Sequence, residues 1–326
     1  MGVTSRDVAR EAGVSQNTVS LVVRDSPRVR PETKAAVRAV MARLGYHPNA
    51  VAAALRTRTT PVLLFVARRD LVHDHVAAGL LAGVVEGADS RAFSVLVVAA
   101  DRGAPERAAD AFRARWASGA VVWATGADDP VVAGLSAAGC PTVCLLGGGR
   151  PGAEAAVVRA DDEGGGRAAV QHLVARGHRR LGLVALTTQG DGLAPARARG
   201  ARAAAEAAGA CLLVERAPGW TVEAGLDAAR RLLGRTPRPT AVFAISDRLA
   251  FGVLRAAAEA GLRVPEDLAV CGFDDAEWSR YSTPPLTTVD FPLRALGRIA
   301  AERLLDPGGA GPLAPVPTRL VVRAST

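Results

Sequence analysis

Gln16, Asn17, Ser20, Leu21 and Arg24 follow one another at steps of one, three, one and three residues. On an α-helix that rhythm gathers them on one face and turns Val19, Val22 and Val23 toward the other. The amide side chains of Gln16 and Asn17 can each make paired hydrogen bonds to an adenine edge in the major groove, and Leu21 can touch a thymine methyl group. Ser15, Thr18 and Thr4, with the backbone N–H groups at helix starts, suit phosphate oxygens and would hold register without reading bases. The chemistry open to this set is recognition of duplex DNA.

No comparable set points to catalysis. The runs Gly147–Gly149 and Gly164–Gly166 are not followed by Lys-Ser or Lys-Thr, and neither has the spacing of a dinucleotide loop. A nucleophile elbow and a metalloprotease motif are both missing. Cys140, Cys144, Cys211 and Cys271 stand in apolar stretches without metal-ligand spacing and are expected to be buried, reduced thiols. The chain reads as no enzyme, with neither cofactor nor metal.

Three short helices must position the polar set. Thr4 can cap a helix running to about Ala12, with Asp7 as the acid of a capping box, and Gly13 then allows a sharp turn. Ser15 can cap a second helix that carries Val19, Val22 and Val23 inward. A third opens with Pro31, has Val37, Val40, Met41 and Leu44 as its apolar stripe and ends at Gly45. Residues 1–46 therefore read as an all-α helix-turn-helix domain. Residues 47–60 follow as a hinge and linker, with a helix-prone stretch from Ala50 to Arg56.

Charge supports this division. The net charge is +8; residues 1–60 hold ten Lys/Arg against four Asp/Glu, or +6, and residues 61–326 hold thirty against twenty-eight, or +2. Such a concentration at one end is the footprint of a nucleic-acid-binding module. A bias toward arginine, with Lys34 the only lysine, does not account for it. No apolar run reaches the length of a membrane span. Met1–Asp7 lacks the basic start and apolar stretch of a secretory signal, so a cytoplasmic location is expected.

From Val62 the pattern changes. Strand-like runs at Val62–Val66, Ser94–Ala99, Ala120–Trp123, Pro141–Leu145, Leu181–Leu186, Thr240–Ile245 and Leu268–Phe273 alternate with helical stretches such as Ala77–Ala92, Gly166–Arg176 and Arg197–Ala208. That alternation predicts parallel sheets covered by helices, and the length of 61–326 predicts two lobes. Asp274 falls just after the last of these strands, at the end where open α/β sheets bind ligands.

The stretch Val3-Thr4-Ser5-Arg6-Asp7-Val8-Ala9-Arg10-Glu11-Ala12-Gly13-Val14-Ser15-Gln16-Asn17-Thr18-Val19-Ser20 resembles the DNA reader of the lactose/galactose repressor (LacI/GalR) family. Arg30-Pro31-Glu32-Thr33 and Leu44-Gly45-Tyr46-His47-Pro48-Asn49-Ala50-Val51-Ala52 continue the resemblance, which runs along almost the whole chain. It implies that Asn49, Ala52, Leu55 and Arg56 belong to a hinge on DNA, where paired hinge helices push Leu55 into the minor groove. An apolar wedge between base pairs kinks a duplex, and so short a helix cannot be stable alone in water. The family commonly has Arg where Leu21 and Ala53 stand, so a different operator preference is expected.

The same resemblance covers Ala160–Gly165, Gln171–Leu173, Gly177–Arg180, Ile245–Asp247, Gly261–Asp267, Gly272–Asp275 and Pro284–Thr288. It implies a periplasmic-binding-protein-like α/β domain whose two lobes hold a ligand between them. Arg197 matches the family's Arg-x-x-Gly motif, in which the Arg reaches the ligand; Trp220 matches a position that packs an aromatic ring on it. Ser246 stands where the family usually has Asn, and Phe291 is expected to line the same cleft. The first lobe departs: a Pro-Phe pair usual after the first strand is replaced by Asp70-Leu71-Val72-His73-Asp74-His75. His73 and His75 could contact ligand; two histidines alone make a poor metal site.

The reading is a homodimeric regulator, a repressor, that binds a near-palindromic double-stranded operator under the control of a small ligand. The low aromatic content, 4%, favours a sugar over a nucleobase as that ligand. The alternatives are a corepressor-dependent regulator that senses a nucleobase or other metabolite, and a solute-binding protein. With no leucine heptad after Arg323, a dimer is expected rather than a zipper-built tetramer.

Overall fold

The computed structural model describes residues 3–23, 25–46, 60–68, 75–100, 103–123, 129–147, 156–187, 193–306 and 313–326. Two compact units emerge, Met1–Thr60 and Pro61–Thr326. The hinge positions Asn49, Ala52, Leu55 and Arg56, together with Arg24 and His73, lie outside the described residues.

In the first unit, α1 (Ser5–Glu11), α2 (Gln16–Val23) and α3 (Pro31–Leu44) share one small core of Val8, Ala9, Val19, Val22 and Val37. Thr4 and Asp7 form a reciprocal capping box, which satisfies N–H groups that the first turn leaves open. Asp25, in the turn after α2, accepts from Lys34 Nζ at 2.9 Å and Arg38 Nη2 at 2.6 Å, and so ties that turn to α3. Val23, expected inside, is 40% exposed. At about 100° per residue it lies roughly 70° from the direction shared by Val19 and Val22, and it ends the helix.

The second unit contains two parallel sheets. The first lobe has strand order β2-β1-β3-β4-β5, from β1 (Val62–Arg68), β2 (Ser94–Ala100), β3 (Gly119–Trp123), β4 (Thr142–Leu145) and β5 (Ala156–Val158). Helices α4 (His75–Asp89), α5 (Ala104–Arg113) and α6 (Pro130–Ala137) belong to it. The second lobe has order β7-β6-β8-β9, from β6 (Arg180–Leu186), β7 (Cys211–Ala217), β8 (Ala241–Ala244) and β9 (Ala269–Cys271). Its helices are α7 (Asp162–Ala175), α8 (Leu193–Ala207), α9 (Val222–Leu233) and α10 (Asp247–Glu259). Strands such as Leu63–Ala67 are buried on both faces, which is why they read as unbroken apolar runs. The Gly164–Gly166 run lies inside α7, so it is helix and no loop.

The chain passes between the lobes three times. It leaves the first at Arg159–Asp161, where Ala160 bridges Val316. After β10 (Thr288–Asp290) it returns as α11 (Leu293–Leu305), which packs along α4. Gly83 and Gly297 let these two helices touch: a Cβ on either would collide with the backbone of the other helix. The chain then goes back to form β11 (Arg319–Val321), antiparallel to β10.

Four strands escape the alternating pattern: β5, β7, β10 and β11. Three have only three residues, too few to show a period; β7 is an edge strand and carries Glu215 and Arg216. The same position corrects one thiol. Cys211, expected to be buried, opens this edge strand and is exposed, whereas Cys140, Cys144 and Cys271 are buried.

Candidate functional site

Arg197 is a long cation that is only 1% exposed. It is brought to its place by a close helix pair. Gly200 on α8 faces the carbonyl of Glu163 on α7, and Gly166 on α7 faces the carbonyl of Arg197; a Cβ at either would fall inside the opposing backbone. The Arg-x-x-Gly spacing thus has a packing reason. The glycine one turn after Arg197 lets α8 lie against α7, so that the guanidinium reaches Asp162 in the first turn of α7.

Arg197 Nε donates to Asp162 Oδ1 at 2.8 Å, and Nη1 donates to Asp274 Oδ1 and to the carbonyl of Ile245, each at 2.8 Å. The guanidinium carbon stands 3.7 Å from the centre of the Phe273 ring and 4.7 Å from that of Phe291, and the two rings meet edge to face. Charge-assisted bonds and aromatic faces together hold a cation far from water.

Asp274 follows β9 with φ at 120°, a conformation costly for a residue with a Cβ. Its N–H bonds the Val289 carbonyl at 2.8 Å, so the strained residue is fixed from the backbone as well as by Arg197. Asp247, in the first turn of α10, is fully buried. Its carboxylate accepts from Ala276 N (2.8 Å), Ser279 Oγ (2.6 Å) and Thr288 Oγ1 (2.5 Å), and so ties α10 to the segment that crosses between lobes. Burial, reinforced by the charge of Asp274, pushes its carboxyl up to about 7 against the pull of those hydrogen bonds. Burial also raises Asp162, although Arg197 opposes it. Burial would lower the pKa of Arg197, but Asp274 and Asp162 outweigh it and the group is held further in its charged form.

Of the ligand positions expected from sequence, Arg197, Asp274 and Phe291 converge on this cluster. Ser246 follows Ile245, and its Oγ accepts the Leu249 N–H at 3.3 Å and caps α10. Trp220 precedes the Thr221 cap of α9 and is half-buried against the apolar core. Asp162, Asp247 and Phe273 join the cluster with no mark in the sequence to single them out. Acidic residues are ordinary at the start of any helix, and Asp161 beside Asp162 is simply the N-cap, its Oδ1 accepting Gly164 N at 2.8 Å. Only the helix–helix approach tells which carboxylate points inward.

In the first unit, Gln16 and Asn17 are exposed and Ser20 and Leu21 partly so. Gln16 Nε2 donates to Ser5 Oγ at 2.7 Å, which holds its amide against α1. Ser15 Oγ accepts the Thr18 N–H at 3.0 Å, and the two hydroxyls are 2.9 Å apart. The Thr4 hydroxyl donates to Asp7 at 2.7 Å, so the capping box already uses its proton.

Comparison with known proteins agrees with both units. Residues 4–49 match the description "Bacterial regulatory proteins, lacI family", and residues 170–326 match a periplasmic binding protein-like domain. The chain is 36% identical to the HTH-type transcriptional regulator CelR of Thermobifida fusca, over 92% of this chain and 90% of that protein. It is 32% identical to the lactose operon repressor of Escherichia coli K12, over 93% of this chain and 84% of the other. Among solved structures, the lac repressor dimer bound to operator and the anti-inducer ONPF superposes with a TM-score of 0.85 at 31% identity, covering 100% of this chain and 99% of that one. With one module that matches a DNA reader, another that matches a ligand sensor, and relatives alike over nearly their full length, the chain belongs to the LacI family of bacterial regulatory proteins.

Proposed function

We propose that this chain is a homodimeric repressor whose affinity for a near-palindromic operator is set by an uncharged sugar held between the two lobes. The observation that carries the sensor half is the buried Arg197, clasped by Asp162 and Asp274 where the lobes meet. Carboxylates there can accept hydroxyl protons, and the guanidinium orients them. The reader half rests on Gln16 and Asn17, exposed on a helix of a basic module, with Ser20 and Leu21 beside them. Arg24, Asn49, Ala52, Leu55 and Arg56 complete the proposed DNA contacts, with Ser15, Thr18 and Thr4 at phosphates; Arg197, Asp274, Phe291, Trp220 and Ser246 complete the proposed ligand set. The relatives are transcriptional regulators, CelR and the lactose operon repressor among them, and this chain is a regulator and no enzyme. No helix among the described residues is long and apolar enough to cross a membrane; a cytoplasmic site of action follows from the need to reach DNA.

A relative named HTH-type transcriptional repressor PurR, 33% identical to this chain, favours a second reading in which a nucleobase acts as corepressor. Against it, the Phe273 face that could stack on a base is covered by the Arg197 guanidinium. The test is selection of sites from a randomised DNA pool, followed by titration of the recovered site with neutral sugars and with purines. Release of the operator by a sugar bears the proposal out; binding that requires a purine replaces it. Linkage demands that whichever ligand acts binds the free and the operator-bound protein unequally, by the same factor in both directions.

A further inference from the structure

His75 opens α4 on the first lobe, and Asp274 follows β9 on the second. Nε2 of His75 lies 3.7 Å from Oδ2 of Asp274. That nitrogen is shielded from solvent, although the imidazole as a whole is 28% exposed. The other oxygen, Oδ1, takes the 2.8 Å bond from Arg197. One carboxylate therefore faces two ways: Oδ1 is anchored within the second lobe, and Oδ2 is turned to a side chain of the first.

We propose that His75 and Asp274 form a clasp that reads one hydroxyl of an uncharged polyhydroxylated ligand from both lobes at once. This deepens the sugar reading above and rests on it. A hydroxyl both donates and accepts. It gives its proton to Oδ2 of Asp274 and receives the Nε2–H of His75, a tautomer that the neighbouring carboxylate favours. Two such bonds meeting at a tetrahedral oxygen span about 4.5 Å between nitrogen and carboxylate oxygen. The 3.7 Å separation then has to widen by only about 1 Å to admit the ligand group. Insertion of a hydroxyl there changes the spacing of the lobes, which is the quantity a two-lobed sensor reports.

Charge selects the ligand class. Asp162 and Asp274 together outnumber the one guanidinium of Arg197, and Asp247 is buried close enough to feel the charge of Asp274. An anionic ligand would meet carboxylates in excess over the guanidinium, whereas a hydroxyl donates to them.

The test takes the full chain and calorimetric titration with glucose, galactose, ribose, lactose and cellobiose, with glucuronate and glucose 6-phosphate as acidic counterparts. The neutral sugar that binds should lose about tenfold or more in His75→Ala and in His75→Phe, and recover most of it in His75→Gln, whose amide N–H replaces the donor. The acidic counterparts should bind about tenfold or more weakly than that sugar. Unchanged binding in both His75→Ala and His75→Phe overturns the proposal, as does an acid bound as tightly as the neutral sugar. A second arm needs no ligand. The chain has five histidines, so 15N-histidine spectra can be assigned with His75→Ala, and the His75 signals should shift in Asp274→Asn while the others stay. Absence of that shift overturns the clasp whatever the sugars do. A shift in a protein that binds no sugar retains the clasp and overturns the sugar reading beneath it.

Discussion

Asp162 and Asp274 sit on either side of one guanidinium, bound to Nε and Nη1 of Arg197 at 2.8 Å each. Removing the cation strands both carboxylates out of water. Arg197→Leu should cost about 3–5 kcal/mol, because breaking one partner of a buried pair is far worse than replacing the whole set. Adding Asp162→Asn and Asp274→Asn to Arg197→Leu should restore about half of the loss or more. Urea unfolding of the three proteins checks this. It also separates a folding role of Arg197 from a sensing role, which a loss of response to ligand alone would not.

Gly200 and Gly166 set how near α8 comes to α7. Alanine is ordinarily the better helix former by about 1 kcal/mol. Here the added methyl group has to push the helices apart, so Gly200→Ala should destabilise by about 2–4 kcal/mol. It should also weaken ligand binding, since Arg197 rides on the displaced helix. Denaturant midpoints beside calorimetric titrations test both effects; a stabilised Gly200→Ala protein would contradict the packing account.

Stability should carry the mark of Asp247. Its carboxyl is raised by burial to about 7 in the folded chain, against about 4 when unfolded. A raised acid contributes stability that is fully present below about pH 4 and is lost as pH rises through about 7. Asp162 shifts in the same direction. Exposed acids such as Asp267, lowered to about 2 by hydrogen bonds from Arg263, act in the opposite sense at low pH. The informative quantity is therefore the difference between the parent and Asp247→Asn. The amide can keep its oxygen toward Ala276 and Ser279 and turn its NH2 to the Thr288 hydroxyl, which can accept. Between about pH 5 and pH 8 the stability of the parent relative to Asp247→Asn should fall by an amount on the order of 1–3 kcal/mol.

On the reader, Gln16 and Asn17 should behave differently from Ser15. Gln16→Ala or Asn17→Ala should cost about 1–3 kcal/mol at a particular base pair and relax the preference there. The slope of affinity against salt should stay as it was, since no phosphate contact is lost. Ser15→Ala removes the oxygen that accepts the Thr18 N–H, and should lower stability by about 1 kcal/mol and weaken binding to all sequences alike. Selection from randomised DNA at two salt concentrations separates the two patterns.

How much of the molecule is legible in its sequence depends on how local each cause is. The caps, the stripe Val37, Val40, Met41 and Leu44, and the doubly buried strands announce themselves through neighbours in sequence. So do Gln16 and Asn17, because a helix face is a periodic object. Val23 departs from expectation at a helix end, and Cys211 at a sheet edge, where the last turn or strand loses its second neighbour. Arg197, Asp274 and Phe291 are legible through resemblance, whereas Asp162 is not, because its role is decided by a helix that arrives thirty-odd residues later. Ser246 stands beside the cluster, and its Oγ accepts the Leu249 N–H as the cap of α10, which leaves its own proton to donate.

The triple passage between lobes has a consequence for how the chain is born. The first lobe needs α11, whose Gly297 docks on α4, and the second needs β11 and Ser325, whose backbone oxygen accepts the Val270 N–H at 2.7 Å. Domains generally acquire structure as they leave the ribosome, N-terminal first. The small helical unit is complete once its first few dozen residues have emerged, but neither lobe has all of its elements until α11 and β11 have followed. For most of its synthesis the nascent protein has a reader with no sensor to govern it, and an interrupted chain would keep the part that seeks DNA while lacking the part that lets go.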